Sequence, residues 1–136
     1  MAQFRLEIIT PEREFFNGMV DSLIVETPDG KRGILAGHTP MVAAIAVGIV
    51  NIKQGGEWLP CFASEGFVEV RPDKVFINAQ AMEWPNEIDE HRAEEAQHKA
   101  EERLRQEQSL REHNASRASL IRAMARLRVK RNINNN

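Results

Sequence analysis

A short run in this chain, Ile88-Asp89-Glu90-His91-Arg92-Ala93, places two acids, a histidine, an arginine and two apolar residues within about two helical turns. Arg122 and Arg126 stand one turn apart on one helical face, where they can converge on a single anion. Asp89 and Arg92 are equally a plain i, i+3 helix pair, worth only a few tenths of a kcal/mol. His91, Glu94, Glu95 and His98 offer metal-ligand types, but a spacing of seven from one histidine to the other is two turns, too far for a tight pair of zinc ligands. Cys61 lies in the apolar run Trp58-Leu59-Pro60-Cys61-Phe62-Ala63 and has no positioned base, so it reads as an inert core thiol. His38, in Gly37-His38-Thr39-Pro40, has no acid partner in view and reads as a structural or interface residue. The stretch Gly30-Lys31-Arg32-Gly33 is not a Walker loop, so a nucleotide held by this chain is held by side chains.

The elements that must position these residues divide at Pro85. All eight glycines and five of the six prolines precede residue 81, and neither occurs after Pro85. Before that point the pattern has period two: Phe4, Leu6 and Ile8; Val50 and Ile52; Val75, Ile77 and Ala79. Turn chemistry at Pro28-Asp29-Gly30, Gln54-Gly55-Gly56 and Arg71-Pro72-Asp73 separates the strands, with further apolar runs at 22–26, 33–36 and 66–70. This spacing predicts an antiparallel sandwich or barrel over residues 1–84. After Pro85 the period is helical. Asn86 is the expected cap of a helix from about Glu87, with Ala93, Ala96, Ala100 and Leu104 on a thin apolar face. A break is expected at His113-Asn114, followed by a second helix with Leu120, Ile121, Met124 and Leu127 on one face. Residues 85–136 therefore read as a weakly packed, mobile two-helix hairpin, with a fraying end from Arg131.

Composition narrows the function classes. A chain of 136 residues, 42% hydrophobic and 28% charged, fits one modest core and excludes wholesale disorder. No apolar run reaches the ~18 residues of a membrane span, and the N-terminus lacks a signal-peptide layout. One cysteine permits no internal disulfide. Charge is unevenly laid out: net −3 over residues 1–80, −5 over 81–112 and +6 over 113–136. The basic stretch lacks interleaved aromatics and the pI is near 6.1, so nucleic acid is not the expected partner. An acidic first helix beside a basic second one suits internal pairing, or exchange for an acidic partner surface.

The order of elements, together with Gly33-Ile34-Leu35-Ala36-Gly37-His38-Thr39-Pro40, Gly66-Phe67-Val68-Glu69-Val70, Lys74-Val75-Phe76-Ile77 and Ile88-Asp89-Glu90-His91-Arg92-Ala93, resembles the epsilon subunit of the rotary ATP synthase. The likeness runs from Phe4 to about Arg131. Ala36 stands where proline is common, Glu65 where a second glycine is common, and Ala81–Asn86 is unlike the usual lead-in to the motif.

The resemblance implies a ten-stranded β-sandwich followed by a helical hairpin, in a non-catalytic subunit of the central stalk. The sandwich is expected to dock on the gamma subunit and the c-ring, coupling ring rotation to the catalytic head. Folded on the sandwich, the hairpin permits ATP hydrolysis; extended into the head, against the alpha and beta subunits, it inhibits. By the same resemblance Glu83, Ile88, Asp89, Arg92, Ala93, Lys99, Arg122 and Arg126 hold ATP as a regulatory ligand, with or without Mg2+. Ile88 and Ala93 line the base, the acids take amino or ribose hydroxyl hydrogens, and the basic residues face phosphate. Lys31, Arg32, His38, Arg117 and Arg128 are the expected partner contacts. The isolated chain is expected to be a monomer, and in the cell a peripheral subunit on the cytoplasmic face of the bacterial plasma membrane. The alternative is a stand-alone β-sandwich adaptor whose tail self-associates as a coiled coil through Leu120, Ile121, Met124 and Leu127.

Overall fold

The computed structural model describes residues 2–106 and 109–132. Ten strands come first: β1 (Phe4–Ile9), β2 (Glu14–Val20), β3 (Ser22–Thr27), β4 (Gly30–Ile34), β5 (Met41–Ile45), β6 (Gly48–Gln54), β7 (Glu57–Ala63), β8 (Gly66–Val70), β9 (Val75–Ala79) and β10 (Met82–Glu83). A single 3-10 turn over Pro85–Glu87 leads into α1 (Glu90–Arg105) and α2 (Leu110–Asn132).

The strands form two five-stranded sheets, ordered β2-β1-β9-β8-β5 and β10-β7-β6-β3-β4. The expected period-two residues do turn inward: Leu6, Ile8, Val50, Ile52, Val75, Ile77 and Ala79 are buried in one shared core. Gly55 and Gly56, both at positive φ (60° and 82°), close the two-residue β6–β7 hairpin, a turn that needs left-handed backbone at both positions. One pairing departs from the antiparallel expectation. β1 runs parallel to β9, with Leu6 opposite Val75 and Ile8 opposite Ile77. A parallel pair needs a long crossover, which all the strands between them supply.

Strand β7 is buried on both faces at its end. Cys61 and Ala63 point into the sandwich, whereas Phe62 belongs to a second cluster with Ile88, Ala125 and Val129. That cluster is where α2 lies on the sheet, flanked by Val47, Ile49 and Ala81. The Cys61 thiol donates to the Val50 carbonyl at 3.3 Å, and burial pushes its pKa far up, as expected of an inert core thiol.

The hairpin differs from the sequence expectation in three places. Asp89, not Asn86, caps α1: its carboxylate accepts the Arg92 N–H at 3.1 Å while Asn86 sits in the 3-10 turn. The break between the helices is not at His113-Asn114, which lie inside α2: α1 ends at Arg105 and α2 starts at Leu110. Ser109 accepts the Glu112 N–H through its hydroxyl (3.2 Å) and the His113 N–H through its carbonyl (2.9 Å), the pattern of a helix start. The buried face of α2 is also not the expected one. Ser116, Ala123, Ala125, Leu127 and Val129 are buried, but Ile121 and Met124 are 45% and 46% exposed. Because α2 packs both on α1 and on the sheet, its buried residues fall on two adjoining faces, which take Ala123, Ala125, Leu127 and Val129 and leave Ile121 and Met124 outside. On α1, Ala93 and Ala100 are buried and Ala96 is exposed.

Candidate functional site

A cleft of about 420 Å³ opens where the linker, α1 and α2 meet, lined by Glu83, Glu87, Ile88, Asp89, Arg92, Ala93, Ala96, Ala123 and Arg126. Each wall has a local cause. Glu83 ends β10, which pairs with β7 so that Glu83 lies opposite Phe62. Ile88 is anchored in the second apolar cluster. Asp89, as the α1 cap, fixes the first turn, so that Arg92, Ala93 and Ala96 follow along the helix toward the cleft. From the other side α2 contributes Ala123 and Arg126, one turn apart.

The electrostatics of the cleft centre on Arg126. Its guanidinium grips Glu83 in a two-point fork, Nε to Oε1 at 2.9 Å and NH2 to Oε2 at 3.1 Å, and lies 4.5 Å from the centre of the Phe62 ring. Lys130 adds a bond from Nζ to the Pro85 carbonyl at 3.1 Å. Glu87 is held from the sandwich: Arg13, from the β1–β2 turn, bonds its carboxylate at 2.7 and 2.8 Å. That pairing holds the Glu87 carboxyl below its ordinary value, helped by the Trp84 N–H, and raises Arg13. Arg92 is exposed, and its side chain enters no ion pair among the described residues.

Of the residues singled out from sequence, Glu83, Ile88, Asp89, Arg92, Ala93 and Arg126 meet around this cleft, while Lys99 and Arg122 do not line it. Lys99 is exposed on α1. Arg122 bonds Ser119 at 3.4 Å, and its charge adds to the Glu65 backbone and Ser64 hydroxyl in holding the Glu65 carboxyl low. Sequence reasoning missed Glu87, Ala96 and Ala123 as lining residues. Glu87 carried a legible signal, since an acid three residues after Trp84 can turn back onto that residue's N–H, as it does here at 2.8 Å.

The residues expected to meet partners are spread over the molecule. Lys31 and Arg32 are exposed on the edge strand β4, where Arg32 reaches the Met41 sulfur at 3.2 Å. His38 lies in the β4–β5 loop with Nδ1 2.7 Å from the Thr39 carbonyl. Arg117 and Arg128 are exposed on α2. Internal pairing of the two helices runs through Arg131, which bonds Glu90 at 3.0 Å and Glu94 at 2.8 Å. His91 pairs with Glu95 at 2.9 Å, both exposed. Among the described residues, no helix is long and apolar enough to cross a membrane.

Comparison with known proteins covers nearly the whole chain. Residues 3–85 match the family described as ATP synthase, Delta/Epsilon chain, beta-sandwich domain, and residues 86–131 match its long alpha-helix domain. The ATP synthase epsilon chain of Ruminiclostridium cellulolyticum is 45% identical over 127 residues, 93% of this chain and 95% of that one. That of Caldanaerobacter subterraneus subsp. tengcongensis is 47% identical over 127 residues, 93% and 92% of the two chains. The fold is also similar to a chain in the Euglena gracilis mitochondrial ATP synthase (TM-score 0.83, 22% identity, covering 100% of this chain and 83% of that one). A chain of the Tetrahymena thermophila central stalk and c-ring shares it less closely (TM-score 0.66, 13% identity, 95% and 97%). With two consecutive domain matches and relatives of this identity over almost its full length, the chain belongs to the ATP synthase delta/epsilon chain family, as an epsilon chain.

Proposed function

We propose that this chain is the non-catalytic epsilon subunit of a proton-translocating ATP synthase, and that its hairpin is a switch set by ATP. In this reading the sandwich sits on the central stalk, against the gamma subunit and the c-ring, as a peripheral subunit on the cytoplasmic face of the membrane. Undocked, the hairpin inhibits hydrolysis by reaching the alpha and beta subunits; docked, it does not. Lys31, Arg32 and His38 serve stalk contacts, and Arg117 and Arg128 serve contacts of the opened hairpin.

One observation carries the ATP reading: a single cleft draws its walls from the linker, α1 and α2 together. A ligand touching all three binds the docked hairpin and not the opened one, so it stabilises the docked state by mass action. The lining suits a nucleotide. Ile88, Ala93, Ala96 and Ala123 are apolar, Glu83, Glu87 and Asp89 accept hydrogen bonds, and Arg92 and Arg126 carry the charge a phosphate needs. The volume lies in the ordinary range for small-molecule sites, about 300–1,000 Å³. Arg126 is already held by Glu83, so phosphate competes with a carboxylate for one guanidinium. That competition keeps affinity moderate, as a sensor of a changing ligand concentration requires. Lys99 and Arg122 stand outside the lining and act at most as distant charges on the phosphates.

Calorimetric titration of the full chain with ATP tests this. Saturable one-to-one binding is expected, lost or weakened at least about tenfold in Arg92→Ala, whose side chain holds no ion pair among the described residues and whose loss leaves the fold intact. Absence of heat with ATP, with or without Mg2+, overturns the ligand and leaves the family assignment standing.

A further inference from the structure

The segment joining the two domains is not a free tether. Met82 and Glu83 pair with Ala63 and Phe62 as the edge strand β10. Trp84 stacks on Phe15, ring centres 4.4 Å apart and 20° from parallel, and meets Phe16 edge-on at 6.3 Å. Pro85 is buried. Arg13 closes this set. Its guanidinium takes both Glu87 oxygens, donates to the Met82 carbonyl at 3.0 Å and lies 5.1 Å from the Phe15 ring centre. Glu87 Oε1 also accepts the Trp84 N–H. One side chain of the β1–β2 turn thus ties both ends of the linker to the sandwich.

Beyond Glu87 the character changes at once. Ile88 and Asp89 are two consecutive extended residues (φ −89°, ψ 124° and φ −86°, ψ 107°) between a 3-10 turn and a helix. Ile88 is held by side-chain burial and by one backbone bond to Pro85 at 3.2 Å. α1 packs on α2, whereas the packing of the hairpin on the sheet is made by α2.

We infer that Arg13 locks the linker Met82–Glu87 onto the sandwich, so that an opening hairpin turns about Ile88 and Asp89 and the cleft parts into a fixed and a moving wall. Glu83 and Glu87 stay with the sandwich; Asp89, Arg92, Ala93 and Ala96 leave with α1. Arg13 is a positioning residue here: it touches no ligand, but keeps two acidic lining residues in place for the hairpin's return. The inference rests on the mobile-hairpin part of the reading above and is independent of ATP.

Residue-resolved amide hydrogen exchange of the full chain without ligand tests it. Once undocked, a 16-residue helix is marginal in water, so α1 amides exchange on opening. The Trp84 and Glu87 amides are expected to exchange about tenfold or more slowly than those of Ala93 to Arg103, on the side of the sandwich strands. In Arg13→Met the linker amides rise toward the α1 rates while those of Val68 and Ile77 keep theirs, and Arg13→Lys falls between. Equal rates for linker and α1 in the unaltered chain, or an unchanged linker in Arg13→Met, overturn the hinge alone. If α1 exchanges only together with the sandwich core, both the hinge and the mobile hairpin are overturned.

Discussion

Glu83 and Arg126 form a forked ion pair, 2.9 and 3.1 Å, that joins the last strand of the sandwich to the second helix across 43 residues of sequence. Each side chain is under a third exposed, and the guanidinium also covers Phe62, the buried ring on which α2 rests. Removing it takes away two charge-assisted bonds and one cation–π contact at a single point of docking. For Arg126→Ala we expect a loss of about 1–2 kcal/mol in hairpin docking, and Arg126→Lys to recover only part of it, since an ammonium lacks the fork. Chemical denaturation followed by helical circular dichroism checks this; a wild-type midpoint in Arg126→Ala contradicts it.

Asp89 has two separable duties. Its carboxylate caps α1 through the Arg92 N–H, whatever ligand is present. Asp89→Ala is expected to cost about 1 kcal/mol of helix stability, whereas Asp89→Asn keeps a capping oxygen and costs little. If Asp89 also serves a nucleotide, Asp89→Asn weakens ATP binding while the melt stays near wild type. Paired melting and calorimetry separate the two: equal ATP affinity in Asp89→Asn leaves Asp89 a cap and nothing more.

How far the sequence reveals this arrangement depends on whether the signal is local. Alternation at Leu6 and Ile8 or at Val75, Ile77 and Ala79 names the inward faces, because each strand buries one side. That β1 and β9 lie side by side in parallel is written in neither strand, since partner choice depends on the whole topology. On α2 the expectation followed the largest apolar residues and so chose Ile121 and Met124. Close packing on two neighbours selected Ala123 and Ala125 instead. The cleft was legible where its residues are clustered, from Ile88 to Ala93. The Arg13–Glu87 tie, across 74 residues, leaves no local trace.

Gly66 is required for a reason that lies in the backbone of another strand. It faces Ala79 in the β8–β9 pair, and a Cβ there meets the Asn78 carbonyl oxygen well inside contact distance, with Ala79 Cα at 2.7 Å and Asn78 C at 2.9 Å. None of these atoms belongs to a flexible side chain. Gly66→Ala is therefore expected to destabilise the sandwich by about 3 kcal/mol or more. Gly33→Ala, where a Cβ meets nothing within 4 Å, is the control and should melt near wild type. Similar denaturation midpoints for the two variants contradict the account.

Acid weakens the linker. The Glu87 carboxyl sits below its ordinary value because Arg13, and secondarily the Trp84 N–H, favour its charged form. A carboxyl lowered by folding stabilises the fold above its unfolded pKa, about 4.3 for glutamate, and this contribution is lost as pH falls through the lower, folded value. Arg13 stays charged throughout. The pair is partly exposed, so solvent screening limits the effect to a few tenths of a kcal/mol. Trp84 stacks on Phe15 beside the pair, so its fluorescence should report a transition below the ordinary glutamate range that Arg13→Met abolishes. A transition of equal size in that variant removes Arg13 as its cause.

The apolar residues of α2 distinguish an internal hairpin from a self-associating tail. Leu127 is 3% exposed, whereas Ile121 and Met124 are each nearly half exposed. The coiled-coil tail needs Leu120, Ile121, Met124 and Leu127 on one free seam; here Leu127 is already buried within the folded chain. Leu127→Ala is thus expected to cost about 2 kcal/mol or more through lost burial and the cavity left behind. Ile121→Ser and Met124→Gln should stay within about 0.5 kcal/mol of wild type. In sedimentation the unaltered chain should remain a monomer as concentration rises. A concentration-dependent dimer that Ile121→Ser dissolves reverses the assignment, because the exposed pair is then an interface between copies.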